Sequence, residues 1–224
     1  MSRRVVALVA ARDEGGRVGP CVTGLRTLAT EVVVVDDGSR DATASEALEA
    51  GATVIRRDRS RGKGGALEAA LDRVEPAEVW LLADADLGSS AAGLAPLIER
   101  IGPDAADLAI AVLPPSSGGG FGIVRRAAGR AIRALSGFEA AAPLSGQRAL
   151  SAEAMRAVRP LARGFGVETA MTIDAVRAGM RVEEIPIDGL AHRITRKDVR
   201  GFAHRGRQGL DIGVALALRV VGRR

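Results

Sequence analysis

Cysteine, lysine and aromatic side chains are nearly missing from this chain of 224 residues. A single cysteine, Cys21, leaves no internal disulfide, which excludes the small disulfide-stapled domains made for oxidising compartments. Aromatic residues are 2% of the chain and tyrosine is absent, so bases would find little to stack on and nucleic acid is not expected as a partner. No stretch approaches the ~18 uninterrupted apolar residues of a spanning helix; the nearest, Leu210 to Val221, is broken by Asp211 and Arg219. The amino terminus runs from Arg4 straight into Val5, without the ~7–15-residue apolar core of a secretion signal. A cytoplasmic chain is expected.

What is present suits one folded domain, or at most two small ones: hydrophobic residues make up 47%. Charge is unevenly placed. Residues 1–114 hold 13 basic and 18 acidic side chains, net −5, whereas residues 115–224 hold 19 and 9, net +10. Such a split is open to several uses: a cation-binding front facing an anion-binding back, a nucleic-acid or anionic lipid surface, or solvated surface arginines. Of the 32 basic residues only Lys63 and Lys197 are lysine, so Lys63 stands out in a chain that otherwise uses arginine.

Along the chain, Val5 to Ala11, Glu31 to Val35, Ala52 to Ile55, Val79 to Ala83 and Leu108 to Leu113 read as buried strands. Between them, Val18 to Leu28, Asp41 to Glu49, Ala66 to Val74 and Leu94 to Ile101 read as helices, with Arg59 to Gly65 a glycine-rich basic loop. This alternation predicts an α/β fold with right-handed crossovers and a mostly parallel central sheet, helices covering both faces. Further on, Ser116 to Gly122 reads as a loop, Ile123 to Leu135, Ala152 to Val158 and Glu168 to Ala178 as helices, and Val182 to Ile187 as a strand. No repeat or long linker separates residues 1–114 from 115–224, so both halves read as one continuous domain.

In open α/β sheets ligands bind beyond the carboxyl ends of the strands. Three acidic groups fall there: Asp13 with Glu14, Asp36 with Asp37, and Asp84 with Asp86. Carboxylates gathered on one rim repel one another unless a cation lies among them, and hard oxygen ligands suit Mg2+ or Mn2+ carrying phosphate. Asp84 and Asp86 flank one residue, so on an extended backbone both side chains point the same way. Lys63, in Arg61-Gly62-Lys63-Gly64-Gly65 just before a helix, offers a point charge beside free N–H groups, an arrangement for a diphosphate; an ordinary turn is the alternative. P-loop spacing is missing, and no Gly-x-Gly-x-x-Gly follows the first strand.

These pieces resemble one family. Val33-Val34-Val35-Asp36-Asp37-Gly38-Ser39 is similar to the nucleotide-binding signature of family 2 type glycosyltransferases of the GT-A fold, and Asp84-Ala85-Asp86 to their Asp-x-Asp metal motif. Ala11-Arg12-Asp13-Glu14 resembles their Pro-Ala-x-Asn-Glu start, with Asp13 in place of Asn. Arg61 to Leu67 resembles a segment of polyprenyl-phosphate sugar transferases and glucosyl-3-phosphoglycerate synthases. Pro143-Leu144-Ser145-Gly146-Gln147, Gly164-Phe165-Gly166-Val167-Glu168 and Ala191-His192-Arg193 are similar to segments of those synthases, Gln147 standing where they carry Glu.

The resemblance implies a GT-A nucleotide-sugar-binding half over 1–114 and an acceptor-binding half over 115–224. Glu14, Asp36 and Asp37, with Ala11, Gly38 and Ala85 in the same stretches, would hold the uracil and ribose of a UDP-sugar, and Lys63 would lie near base and diphosphate. Asp86 and His192 would bind Mg2+ or Mn2+, Asp84 supporting the ribose or the metal. Gly146 and Glu168 would line the sugar and acceptor pocket, making Asp86, Glu168 and Lys63 the catalytic set. The reaction implied is hexose transfer from a nucleotide diphosphate sugar, retaining if the synthase likeness holds, with 116–122 as a lid. The basic back half, with Arg125, Arg126, Arg130, Arg193, Arg196 and Lys197, fits an anionic small-molecule acceptor such as 3-phosphoglycerate, or a lipid phosphate. The helix over Leu210 to Val221 would pack on its own domain, on a second subunit in a homodimer, or peripherally on the inner membrane face. A sugar-1-phosphate nucleotidyltransferase is the alternative enzyme, but it normally carries a lysine in the loop after the first strand, which Ala11 to Gly16 lacks.

Overall fold

A computed structural model of the chain describes residues 3–114 and 121–190, and positions 213, 216, 217 and 219 near the carboxyl end. Seven strands form one sheet: β1 (Val5–Ala11), β2 (Glu31–Asp36), β3 (Thr53–Arg56), β4 (Val79–Asp84), β5 (Leu108–Val112), β6 (Arg148–Ser151) and β7 (Val182–Pro186). Their spatial order is β3-β2-β1-β4-β6-β5-β7, parallel throughout except for β6, which runs antiparallel to both β4 and β5. The helices are α1 (Val18–Leu25), α2 (Thr43–Glu49), α3 (Gly62–Leu71), α4 (Ala95–Glu99), α5 (Phe121–Ser136), α6 (Ala152–Val158) and α7 (Val167–Arg177), and a 3-10 helix spans Ala85–Leu94.

The valine-rich strands are apolar at consecutive positions because each faces two cores. Successive side chains point to opposite faces of a strand. Val5, Ala7, Val9 and Ala11 of β1 therefore join one core with Cys21 and Leu25 of α1 and Leu87 and Leu94 of the 3-10 helix. Val6 and Leu8 join the other, with Leu67 of α3, Met155 of α6 and Met171 of α7. Burial on both faces is what a parallel sheet covered by crossover helices requires.

Three sequence expectations shift. Helix α3 begins at Gly62, so Lys63 to Gly65 lie in its first turn rather than in a loop. After Asp84 the backbone leaves the extended conformation for the 3-10 helix, so Asp86 does not continue the strand. Residues 116–120 of the expected loop fall outside the described residues, and Phe121 and Gly122 already open α5. Strand β6 was not predicted: at four residues, beginning with arginine, it carries no strand pattern of its own. Its antiparallel insertion matters because Leu82 pairs with Arg148, which carries the preceding residues 145–147 up to the rim where β4 ends.

Of the Leu210 to Val221 segment, Arg219 is described, and it is buried at 3% exposure. Its Nε donates to both oxygens of Asp174, at 3.0 and 3.1 Å, while its backbone carbonyl accepts from Arg177 Nη1 at 3.0 Å. At this point the carboxyl-terminal segment packs on its own domain, on the outer side of α7. Residues Val167 to Ala175 of that helix are all buried. No helix among the described residues is long and apolar enough to cross a membrane. Removing one member of a buried ion pair strands the other, so Arg219→Ala is expected to lower the unfolding free energy by about 3 kcal/mol. Denaturant midpoints at unchanged m-value measure it; a loss below about 0.5 kcal/mol would mean that the pair is not formed in solution.

Candidate functional site

Sheet register brings the acidic groups onto one rim. Ala11 is level with Asp36 across β1 and β2, and Ala10 with Asp84 across β1 and β4. The loop after β1 is hung from the start of α2. Glu14 N–H donates to Thr43 Oγ1 (2.9 Å), Gly15 N–H to Asp41 (2.9 Å) and Gly16 N–H to Glu46 (2.6 Å). Asp13 turns the corner with φ +53°, a conformation aspartate tolerates better than most residues, its carboxylate accepting from Arg40 N–H (2.9 Å). Glu14 is thus delivered to the rim, where Arg17 approaches it at 3.4 Å.

Asp36 and Asp37 are buried, at 0% and 5% exposure. Asp36 Oδ1 accepts from Ser39 N–H (2.8 Å); Oδ2 has no hydrogen-bond donor, and exposed Arg56 stands 3.5 Å away. Asp37 accepts from Ser60 Oγ (2.6 Å) and from the N–H groups of Arg61 (3.1 Å) and Gly62 (3.0 Å), with Arg57 Nε at 3.6 Å. A carboxylate at a helix start satisfies free donors and favours the dipole. The N–H groups of Arg61 and Gly62 at the start of α3 are therefore taken by Asp37.

The glycines of this turn also differ in use from the sequence expectation. Gly62, at φ +74°, packs against the backbone of Gly164, where a Cβ would stand 2.9 Å from its Cα; a Cβ on Gly64 would collide with the carbonyl of Ala162. They admit residues 162–164, the approach to α7, rather than a ligand. That contact carries Glu168, in the first turn of α7, to Lys63.

Lys63 Nζ lies 2.5 Å from Asp84 Oδ1 and 2.8 Å from Glu168 Oε1. Burial alone would lower the lysine pKa, but the two carboxylates and their hydrogen bonds outweigh it, holding it above its usual value. Asp84 Oδ2 accepts from Gln147 Nε2 at 2.8 Å. Gly146 closes the cluster: a Cβ there would overlap both Asp84 Oδ2 and Lys63 Nζ. Asp86, half-buried at the start of the 3-10 helix, lies near enough to Cys21 to act on it. Burial, then the charges of Asp84 and Asp86, push the Cys21 thiol up to about 12. His192 and His204 lie outside the described residues, and among those described no three metal-ligating side chains gather.

The structure therefore brings Lys63, Asp84, Gly146 and Glu168 together, with Asp86 beside Asp84. Ala11, Glu14, Asp36, Asp37 and Gly38 stand along the adjoining rim at the ends of β1 and β2. Sequence reasoning missed the neighbours that hold them: Ser60 and Arg57 on Asp37, Arg56 on Asp36, and Arg148 beneath the cluster. An arginine among 30 carries no signal of its own.

Gly146→Ala should force the lysine off Asp84 or displace the 143–147 segment, costing about 1–3 kcal/mol. The expected drop in Tm is about 2–4 °C per kcal/mol, against no comparable drop for Gly102→Ala, where nothing lies within 4 Å of the added methyl. Equal melting of both variants would show that the cluster is not packed as described.

Several known proteins share this fold. Glucosyl-3-phosphoglycerate synthase from Mycobacterium tuberculosis, solved with Mn2+, UDP and phosphoglyceric acid, superposes with TM-score 0.81 at 24% identity, over 97% of this chain and 78% of that one. The same synthase solved with Mn2+, UDP-glucose and phosphoglyceric acid gives TM-score 0.80 at 23% identity, over 100% and 81%. These likenesses establish the GT-A fold. Glycosyltransferase AglJ from Haloferax volcanii is 31% identical over 163 residues, which are 69% of this chain, and the chain spans about half (52%) of that relative's length. Residues 7–155, from the first strand into α6, match glycosyl transferase family 2, and the chain belongs to that family.

Proposed function

We propose that this chain transfers a hexose from a nucleotide diphosphate sugar, a UDP-sugar, to an oxygen of an acceptor bearing phosphate or carboxylate, such as 3-phosphoglycerate. The observation that carries the reading is the buried lysine clasped by Asp84 and Glu168 at the carboxyl rim of the sheet, with Asp86 beside it. Family 2 membership supports the reaction class. The synthase solved with UDP, Mn2+ and phosphoglyceric acid on the same fold supports the choice of donor, metal and acceptor.

In this reading the rim at Ala11, Glu14, Asp36, Asp37 and Gly38 frames the uracil and ribose. Asp36 Oδ2, lacking a donor, accepts from the base once Arg56 swings aside, and Asp37 acts by fixing the 60–62 turn. Asp84 faces the donor, whereas the Ala85 side chain, expected beside it, is buried in the core with Leu87. The carboxylate of Asp86 is a hard oxygen ligand left half-exposed beside that rim, which fits Mg2+ or Mn2+; Asp86 and His192 would hold the ion. When bound, such an ion supplies positive charge to the departing diphosphate. Lys63 adds a fixed charge on the protein side, and its two carboxylates keep it protonated and aimed. Glu168, held by Lys63 in the wall of the site, orients a sugar hydroxyl, and Gly146 lets Lys63 and Asp84 close up into the wall that the hexose meets.

The acceptor assignment draws on the basic back half. An open groove of about 490 Å³ runs between α5 and residues 139–143. Arg125, Arg126 and Arg130 line it without an ion-pair partner among the described residues, whereas Arg133 meets Glu139 at 3.2 Å. Unpaired guanidinium groups beside the 143–146 segment suit a phosphate or carboxylate.

Incubation with labelled UDP-sugars and candidate acceptors, read by UDP release and product mass, tests the proposal. Expected are turnover that requires Mn2+ or Mg2+, its abolition by Asp86→Ala with Tm unchanged, and a loss on the order of 100-fold for Lys63→Ala. Metal-independent turnover, or undiminished activity in Asp86→Ala, would overturn the site; no release from any UDP-sugar would overturn the donor.

A further inference from the structure

We infer that Arg148 is a positioning residue of this site, a buried cation that balances the second carboxylate of the Lys63 cluster. Lys63 brings one positive charge to two carboxylates, Asp84 and Glu168. Gln147, the other group on Asp84, is neutral. Without a further cation the cluster would carry one excess negative charge in a partly buried place, the Lys63 and Glu168 side chains being 14% and 10% exposed and that of Asp84 34%.

Arg148 lies where an apolar residue would be expected. It is fully buried on β6, level with Leu82 of β4 and Ile110 of β5, both members of the core that underlies α3 and α7. Among the described residues no carboxylate forms an ion pair with it. Nε donates to the carbonyl of Ser145 (2.8 Å), Nη1 to Thr172 Oγ1 (2.9 Å), and Nη2 to nothing. The contrast with Arg219 is direct, for that buried arginine forks onto Asp174. A buried guanidinium without a contact partner is costly, and a packed apolar residue of similar volume would ordinarily be at least as stable. The field of nearby carboxylates offsets part of that cost: burial dominates and leaves the arginine pKa lowered to about 10, although Glu168, then Glu184 and Asp84, act in the opposite direction. Glu184 is occupied by the N–H groups of Ala141 (2.8 Å) and Ala142 (2.7 Å). Of the three carboxylates, Glu168, which acts most strongly on Arg148, and Asp84 belong to the Lys63 cluster. Arg148 and Glu168 line the same small void with Lys63 and Gly146. Thr172 links them as well, accepting from Arg148 and donating to the Glu168 carbonyl at 3.1 Å. With Arg148 the four charged groups sum to zero, and Lys63 can face both carboxylates at once.

A double-mutant cycle on the full chain tests this. Arg148→Met is expected to lower Tm by about 5 °C or more, and Glu168→Gln to lower it in the parent chain. In the Arg148→Met background, Glu168→Gln should instead raise Tm by about 3–4 °C, because it restores neutrality. If Arg148 served only as a brace for Ser145 and Thr172, the two losses would add, and additive losses overturn the proposal. Should Arg148→Met fail to fold alone, folding of the double variant carries the same expected result, and failure of both overturns it. Arg148→Lys, which keeps the charge without the fork, should retain Tm better than Arg148→Met; parity with Met would count against the proposal. These melts need no substrate, so they stand apart from the transferase reading. The turnover arm rests on it: Arg148→Met should lower kcat for UDP-sugar more than it raises KM, and Arg148→Lys should recover it.

Discussion

The ammonium of Lys63 between Asp84 and Glu168 is the contact on which the site depends. Its three members come from α3, from β4, which follows it, and from α7 much later in the chain, and each reaches the point because of a separate backbone fact. Asp84 is there because β4 ends level with β1. Lys63 is there because Asp37 anchors the turn that starts α3. Glu168 is there because Gly62 and Gly64 let residues 162–164 lie directly on that turn. Attraction between opposite charges in a place shielded from water then holds what the glycines allow to meet.

Several features that look local are set by this junction. Gly146 must lack a side chain because the carboxylate and the ammonium already fill the space a methyl would need. Strand β6 reverses direction, and the reversal delivers Gly146 and Gln147 to Asp84 and sets Arg148 beneath the cluster. Helix α7, buried along most of its length, is supported on its outer side by Arg219 from the carboxyl-terminal segment and on its inner side by Arg148. Two buried arginines on one helix are thus used differently, one as a contact partner and one through its field.

Much of the fold was legible because its signal is local and repeated. Runs such as Val32 to Val35 are apolar at every position, which a strand covered on both faces needs. The acidic pairs after β1, β2 and β4 were legible for the same reason, since strand ends mark the rim of an open sheet. Less was legible where a residue's role depends on what arrives from elsewhere. Gly62 and Gly64 read as a phosphate cradle, yet they make room for another stretch of backbone. Asp37 read as a ligand residue, yet its oxygens hold Ser60 to Gly62. The spacing of Asp84 and Asp86 suggested one shared direction on a strand, but the chain turns into a 3-10 helix between them.

By itself the sequence determined the α/β class, the carboxylates at the strand ends, and the singularity of Lys63 among arginines, because hydrophobic alternation and residue chemistry are written in order along the chain. Tertiary structure alone decided that β6 enters the sheet reversed, that Lys63 is shared by Asp84 and Glu168, and that Arg148 sits buried beneath them, bonded to Ser145 and Thr172. Charge balance in a buried cluster is a sum over groups from separate segments, and no window of sequence contains that sum.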